Sequence, residues 1–421
     1  MPYRSVNADR AMVCGAGSFV ASGTLIAAKR FAFFDTALNF LRRPYASGKS
    51  INQNTASRKI SSMIKHTRVR LNSFNIIALA GALIAAIPCA AQAQSPSGEP
   101  LQVPAKSVPV PGTVSPQLAK IVGMPLRTGW DTLPKTGEEW KPVVAATAAA
   151  TLKNVPGMQE RLHVKVEKTM IDGVRAFIVT PDVIAPQNKN RVLLHMHGGC
   201  YVLNPGEAAL PEALFMAGFG GYKVIAVDYR MPPEAYFPAA LDDGMTVYKS
   251  LIKTNDPKNI AVFGSSAGGA LTLEMMLKAK QDGLPMPGAI APGTPMSDVT
   301  KVGDTFITNA RLDNVLVSPD GFCDAGTVVY ANGHDLKDPL LSPVYGDMAG
   351  FPPTILTSGT RDLLLSNTVR VHRKLREARV EAQLQVFEAQ SHAQYYRDDT
   401  SPEAKAAFEE IALFFDKHLG K

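Results

Sequence analysis

The chain has 421 residues, of which 46% are apolar and 19% charged, ordinary values for a protein that buries a sizeable core as one large domain or two smaller ones. Its formal charge of +7 does not point to a nucleic-acid partner, because the excess is confined to the front. Residues 1–93 carry twelve Lys/Arg against two Asp/Glu, and the remainder carries thirty-two against thirty-five, so the body is mildly acidic and has no basic stripe.

In chain order, the first pattern is "MIKHTRVRLNSFN" (63–75), a basic start, followed by the apolar run "IIALAGALIAAI" (76–87) and the small-x-small site "AQA" (91–93). That combination predicts a secretory signal peptide over 63–93, too short for a transmembrane helix and cleaved after Ala93. Pro88 directly before Cys89, and the small-residue site after it, argue against a lipid anchor there. Residues 1–62 then read as a disordered extension upstream of the native start. The exported chain, periplasmic or secreted, is Gln94–Lys421, with no further membrane span and two cysteines, Cys200 and Cys323. Export permits a disulfide, but two cysteines do not define a framework. There is no internal repeat and no metal-ligand spacing: His195 and His197 stand two apart without a partner cluster.

Residues 94–115 are Pro/Ser/Val-rich and read as a linker, and 116–155 carry helical patterns with few strand signals. From Leu162 onward strands and helices alternate. "RLHVKVEKTMIDGVRAFIVTP" (161–181) predicts a hairpin turning at Asp172–Gly173. "RVLLHMHG" (191–198), "KVIAVDY" (223–229), "NIAVFG" (259–264), "GAIAPG" (288–293), "PTILTSG" (353–359) and "AQLQVF" (382–387) are strand candidates. Most of these are continuous apolar runs, which suit parallel strands covered on both faces. Helical stretches lie near 206–218, 238–253, 267–282, 366–378 and 401–418, so 161–421 predicts a mostly parallel, doubly wound α/β domain. Residues 299–340 break the rhythm and read as a cap or lid insertion.

"VFGSSAGGA" (262–270) carries G-x-S-x-G as Gly264-Ser265-Ser266-Ala267-Gly268, after a strand and before a helical pattern. That context makes Ser266 a candidate nucleophile on a tight turn, with a helix N-terminus behind it. A hydroxyl needs a base. Of the later histidines, His392 follows a strand by a short loop, whereas His372 and His418 fall within helical patterns and His334 within the insertion. Asp362, after the preceding strand, is the acid in the Ser, acid, His order that this motif requires. "HGGC" (197–200) follows the strand 191–196 as an oxyanion-type loop with Cys200 in its last place. Charge developing on a carbonyl oxygen would meet backbone N–H groups there and at Ala267.

These stretches, with "DYRMPPEAYFPAALDD" (228–243), resemble the hormone-sensitive lipase family of α/β-hydrolases, the bacterial family IV esterases, over roughly 160–421. The resemblance implies an α/β-hydrolase fold with a helical cap, formed in part by 116–160. It implies Ser266 as nucleophile, His392 as base, Asp362 as its orienter, and Gly199, Cys200 and Ala267 as oxyanion donors. His197, Gly198, Gly264 and Gly268 would be structural members of the motifs, with Tyr201 and Ser265 toward the substrate. The 228–243 stretch would buttress the oxyanion loop. The sequence departs from the family pattern at Ser265 (usually Asp), at Cys200 (usually Gly), and at Leu365–Ser366, where an acidic residue is usual. The segment 338–364 also resembles lactone hydrolases of the group. The expected function is a serine carboxylic-ester hydrolase acting on short-chain acyl esters or lactones, with a small molecule as partner and no metal or cofactor. The alternatives are an amidase or peptidase on the same fold, or a non-catalytic small-molecule binder that has lost the chemistry.

Overall fold

The computed structural model describes residues 100–421. The extension 1–62, the signal segment 63–93 and the start of the linker lie outside the described residues. Residues 100–111 have no regular secondary structure and are almost all exposed.

Three helices follow: α1 (Pro116–Val122), α2 (Gly137–Leu152) and α3 (Val155–Arg161). Their starts are written locally. Ser115 caps α1 by accepting from Leu118 N, with Pro116 at the first helical position. Thr136 caps α2 by accepting from Glu139 N, while Glu139 Oε2 takes Lys135 N. Glu403 accepts from both the N–H and the hydroxyl of Ser115, each at 2.7 Å, and so ties α1 to the C-terminal helix.

The sheet has eight strands in the order β1-β2-β4-β3-β5-β6-β7-β8. β1 (Val164–Ile171) and β2 (Val174–Pro181) form the expected hairpin, antiparallel from Val164 opposite Pro181 to Ile171 opposite Val174. β2 also runs antiparallel to β4 (Lys223–Val227). All other pairings are parallel: β3 (Val192–Met196), β5 (Ile260–Ser265), β6 (Ala289–Gly293), β7 (Thr354–Gly359) and β8 (Ala382–Phe387). The mostly parallel, doubly wound architecture expected from the apolar runs is therefore present, and six strands lie where the runs predict them.

Alternate side chains of the central strands feed two cores. Leu194, Met196, Val262 and Leu356 belong to one, packed with α5 (Ala239–Leu251), α6 (Ala267–Gln281) and α8 (Leu365–Glu377). Leu193, Phe263, Ala291 and Ile355 belong to the other, with α4 (Pro211–Gly220) and α9 (Pro402–His418). β3, β5, β6 and β7 are buried along their whole length, which is why their sequences do not alternate. The 299–340 insertion contains a single helical turn at Thr305–Thr308 and helix α7 (Phe322–Ala331) among loops. No helix among the described residues is long and apolar enough to cross a membrane.

Candidate active site

Five adjacent parallel strands end at one rim, and the loop after each supplies part of one cluster. His197–Tyr201 follows β3, Ser266 follows β5, Thr294 follows β6, Asp362 follows β7 and His392 follows β8. Such a rim is where doubly wound sheets place their ligands.

Ser266 sits between β5 and α6 with φ 62° and ψ −123°, a conformation unusual for a residue with a side chain. Backbone packing enforces it. A Cβ on Gly268 would stand 1.9 Å from Met196 O, and one on Gly264 2.0 Å from the same oxygen, so the turn lies directly against the end of β3. The oxyanion-type loop rests on the turn in its own right: a Cβ on Gly198 would meet Ser265 O at 2.7 Å. The loop then winds left-handed, with φ 126° at Gly199, 55° at Cys200 and 62° at Tyr201. A third glycine would take the Cys200 conformation without strain, whereas a side chain there costs on the order of 1 kcal/mol. Cys200 instead makes a disulfide with Cys323 on α7, fastening the loop to the insertion. The N–H groups of Gly199, Cys200 and Ala267 donate to no acceptor among the described residues.

Beneath the loop, Tyr229 of the 228–243 stretch donates from its hydroxyl to His197 O at 2.7 Å and stacks on the His197 ring, centroids 3.9 Å apart. Burial pushes the His197 imidazole down to about 4, so it is neutral at ordinary pH. Its Nδ1 lies 2.9 Å from Gly198 O, an N–H donor in that tautomer.

On the far side of the rim, His392 Nδ1 and Asp362 Oδ1 are 3.0 Å apart, both buried. Asp362 also accepts from Ser358 Oγ at 2.8 Å, from Leu364 N at 2.8 Å and from Thr294 Oγ1. Burial alone would raise the Asp362 carboxyl; the adjacent His392 and these hydrogen bonds outweigh it and hold it below the ordinary range. Asp362 is therefore an acceptor-only carboxylate that fixes the proton on His392 Nδ1 and leaves Nε2 as the basic nitrogen. Nε2 is buried, has no partner among the described residues, and belongs to a residue that lines the same cavity as Ser266.

That cavity has a volume of about 830 Å³. Its floor is Gly198–Cys200, Ser266 and His392; its walls come from the 121–128 segment, α2, α3, the 314–316 turn and Phe322. The N-terminal segment and the insertion thus both face Ser266.

Two residues expected at the substrate are placed elsewhere. Ser265 is fully buried and absent from the cavity lining. It closes β5, and strand alternation sends its side chain away from that of Ser266. There its N–H donates to Glu212 Oε2 at 3.1 Å, and its hydroxyl meets Glu212 and Tyr395. Tyr201 is likewise fully buried; its left-handed backbone turns the ring under the loop, where it stacks on Tyr330 and donates to Glu274 Oε1 at 2.9 Å.

Other residues of the cluster went unmarked by the sequence motifs. Thr294 bridges Asp362 and His392, its Oγ1 3.1 Å from His392 Nδ1; its position directly after a parallel strand was the available signal. Asp313, inside the insertion, accepts from four backbone N–H groups: Val315 and Leu316 on Oδ1, Leu363 and His392 on Oδ2. Burial, and then the neighbouring Asp362 charge, push its carboxyl up. The adjacent Asn314 links the insertion to Ile121, Val122 and Met124 of the cap and to Ser391 and Gln394 of the histidine loop.

The same arrangement of chain is found in known proteins. Residues 193–396 match a family described by the alpha/beta hydrolase fold. The crystal structure of esterase E25 is 41% identical, covers 76% of this chain and 99% of its own, and superposes with a TM-score of 0.74. An esterase from the bacterial hormone-sensitive lipase family is 28% identical with a TM-score of 0.64, covering 73% of this chain and 99% of its own. An acetyl-hydrolase of Streptomyces hygroscopicus is 26% identical over 244 residues, which is 58% of this chain and 81% of that protein. The chain is therefore a carboxylesterase/lipase-like hydrolase and belongs to the hormone-sensitive lipase family of α/β-hydrolases.

Proposed function

We propose that the protein hydrolyses short-chain acyl esters or lactones through Ser266, His392 and Asp362 by way of an acyl-enzyme. The observation that carries this is the Asp362–His392 contact at 3.0 Å, which leaves His392 Nε2 free on the cavity that Ser266 lines. His392 Nε2 takes the hydroxyl proton as Ser266 Oγ attacks the carbonyl carbon. Asp362 holds the tautomer and stabilises the imidazolium. The oxyanion is met by the N–H groups of Gly199, Cys200 and Ala267, and losing one such donor costs about 3 kcal/mol of barrier stabilisation. His392 returns the proton to the departing alcohol, then activates the water that cleaves the acyl-enzyme and regenerates the serine.

Preference for a short acyl group is supported by the acetyl-hydrolase relative. Export, with cleavage after Ala93, is supported by the basic–apolar–small run at 63–93 and by the Cys200–Cys323 disulfide, a bond favoured in oxidising compartments. The test is labelling with a serine-directed organophosphonate alongside turnover of p-nitrophenyl esters from C2 to C12, lactones and matched anilides. Labelling lost in Ser266→Ala, with C2–C4 esters or lactones turned over best, is the expected result. Absence of labelling in the parent protein overturns the nucleophile, and faster cleavage of anilides than esters favours an amidase.

A further inference from the structure

Most charged groups around the cavity are already paired. Arg161 makes a two-point contact with Asp399, at 2.8 Å and 3.0 Å. Asp398 accepts from the N–H and hydroxyl of Thr400, at 2.9 Å and 2.6 Å, and is the one lining carboxylate without a cationic or histidine partner among the described residues. Glu212 is held by Ser265 and by His195 Nε2 at 3.1 Å. Two cations are left over. Arg127 and Arg397 both line the cavity that holds Ser266 and His392. Among the described residues, neither side chain has an ion pair or a hydrogen bond.

Arg127 is the better placed of the two. Its guanidinium carbon lies 4.0 Å over the centre of the Phe322 ring, a contact that restrains the fork, and its N–H groups meet no acceptor among the described residues. Its backbone is equally fixed, because Arg127 N donates to Asn314 O at 2.9 Å and Asn314 N donates to Ser391 Oγ, next to His392. The side chain is half-buried, and burial together with the Arg397 charge pushes it down to about 10, so at neutral pH it is a cation that still lacks a counter-ion. A planar fork held this way matches a carboxylate bidentately.

We propose that the cavity selects esters that carry an anionic group, a carboxylate set apart from the scissile bond, which Arg127 binds and Arg397 supports. This rests on the esterase reading above and narrows its substrate class. Binding a remote carboxylate on a fixed cation draws the substrate toward Ser266 and aligns its carbonyl with the nucleophile.

The test compares kcat/KM within two ester pairs matched in size. One carries the charge in the acyl part (p-nitrophenyl hydrogen adipate against p-nitrophenyl hexanoate), and the other carries it in the alcohol part (4-acetoxybenzoate against its methyl ester). The expected result is at least a tenfold advantage for the anionic member of one pair at low salt, expressed mainly in KM and shrinking as sodium chloride is added. In Arg127→Gln that ratio falls to threefold or less, Arg127→Lys keeps part of it, and Arg397→Gln lowers it by a smaller factor. Because the readout is a ratio within one enzyme preparation, a loss of folded protein does not imitate the effect, and Arg397→Gln gives a second handle if Arg127→Gln folds poorly. Turnover of neutral esters without any anionic advantage, or an advantage that survives in Arg127→Gln, overturns the inference and leaves the esterase reading standing. Failure to turn over or label at all overturns the esterase reading itself.

Discussion

The two halves of the active-site rim are held by different physics. On the Ser266 side, backbone lies against backbone: the turn after β5 fits because Gly264 and Gly268 let Met196 O approach where any Cβ would collide. On the His392 side one such approach recurs, a Cβ on Gly359 standing 2.1 Å from Gln390 O, but the loops after β7 and β8 are otherwise joined by buried oxygens, those of Asp362, Thr294, Ser358 and Asp313. Close packing is unforgiving but local, whereas polar scaffolding tolerates small shifts and draws its parts from distant segments.

The sharpest way to break the contrast is Gly268→Ala. The added methyl would stand 1.9 Å from Met196 O and 2.7 Å from its carbon, with no flexible side chain to give way. A loss of about 4 kcal/mol or more is expected, the size reserved for a core overpacked against main chain. Urea denaturation measures it, and a loss below about 1 kcal/mol would mean that the turn and β3 are not in contact as described.

Next in size is the bond that joins the loop after β3 to the insertion. Cys200–Cys323 closes a sequence separation of 123, and a loop of that length is worth about 5 kcal/mol in the chain-entropy account, with 2–4 typical of measured cases. Cys323→Ala should lower the denaturation midpoint accordingly, and treatment with a reductant should bring the parent protein to the same value. It should also lower kcat, since Cys200, at φ 55°, is left with its strain and without its tether.

The polar half predicts a smaller, differently distributed loss. Asp313→Ala strands four backbone N–H groups, two of which belong to the Asp362 and His392 loops. About 3 kcal/mol of stability should go, part of the penalty being relieved by water entering the gap. Because His392 N is one of the released groups, kcat should fall on the order of tenfold while KM for a neutral ester changes little. Equal losses in both parameters would mean that Asp313 supports the cavity wall rather than His392.

The same contrast explains what the sequence discloses. Glycine packing requires particular residues at contiguous positions, so the 197–200 and 264–268 stretches stand out from neighbours of any kind. Fully buried strands likewise announce themselves as short apolar runs, and β3, β5, β6 and β7 fall where those runs are. Asp313 leaves no such trace: the N–H groups it serves on Leu363 and His392 lie 50 and 79 residues downstream, and its immediate neighbourhood reads as an irregular insertion. Tyr201 and Ser265 show a third limit. Residue type and motif position put them near the substrate, but side-chain direction is set by dihedral angles, and one residue of strand alternation separates Ser265 from the cavity that Ser266 faces. Arg127 is hidden for the opposite reason, because an arginine in a cap segment reads as a solvated surface charge until Phe322 and Arg397 are placed beside it.

Glu274 sharpens the comparison further, since it is a polar support inside the close-packed half. It lies fully buried on α6 and accepts the Tyr201 hydroxyl, while its Oε2 has no partner. Burial pushes this carboxyl well above the ordinary glutamate value of 4.5, so it stays protonated in the fold at pH values where the unfolded chain has released the proton. The folded state then binds one more proton than the unfolded one. The contribution to stability is complete below pH 4.5 and is lost as pH rises from there toward the folded-state value, at about 1.4 kcal/mol per pH unit. Glu274→Gln keeps an acceptor for Tyr201 and removes the titration. Urea denaturation at a series of pH values rising from 4.5 should therefore show the variant gaining on the parent protein until the folded-state value is passed. A parallel pH dependence in the two proteins would mean that Glu274 is ionised in the fold, and that Tyr201 is anchored by a charge rather than by a neutral hydrogen bond.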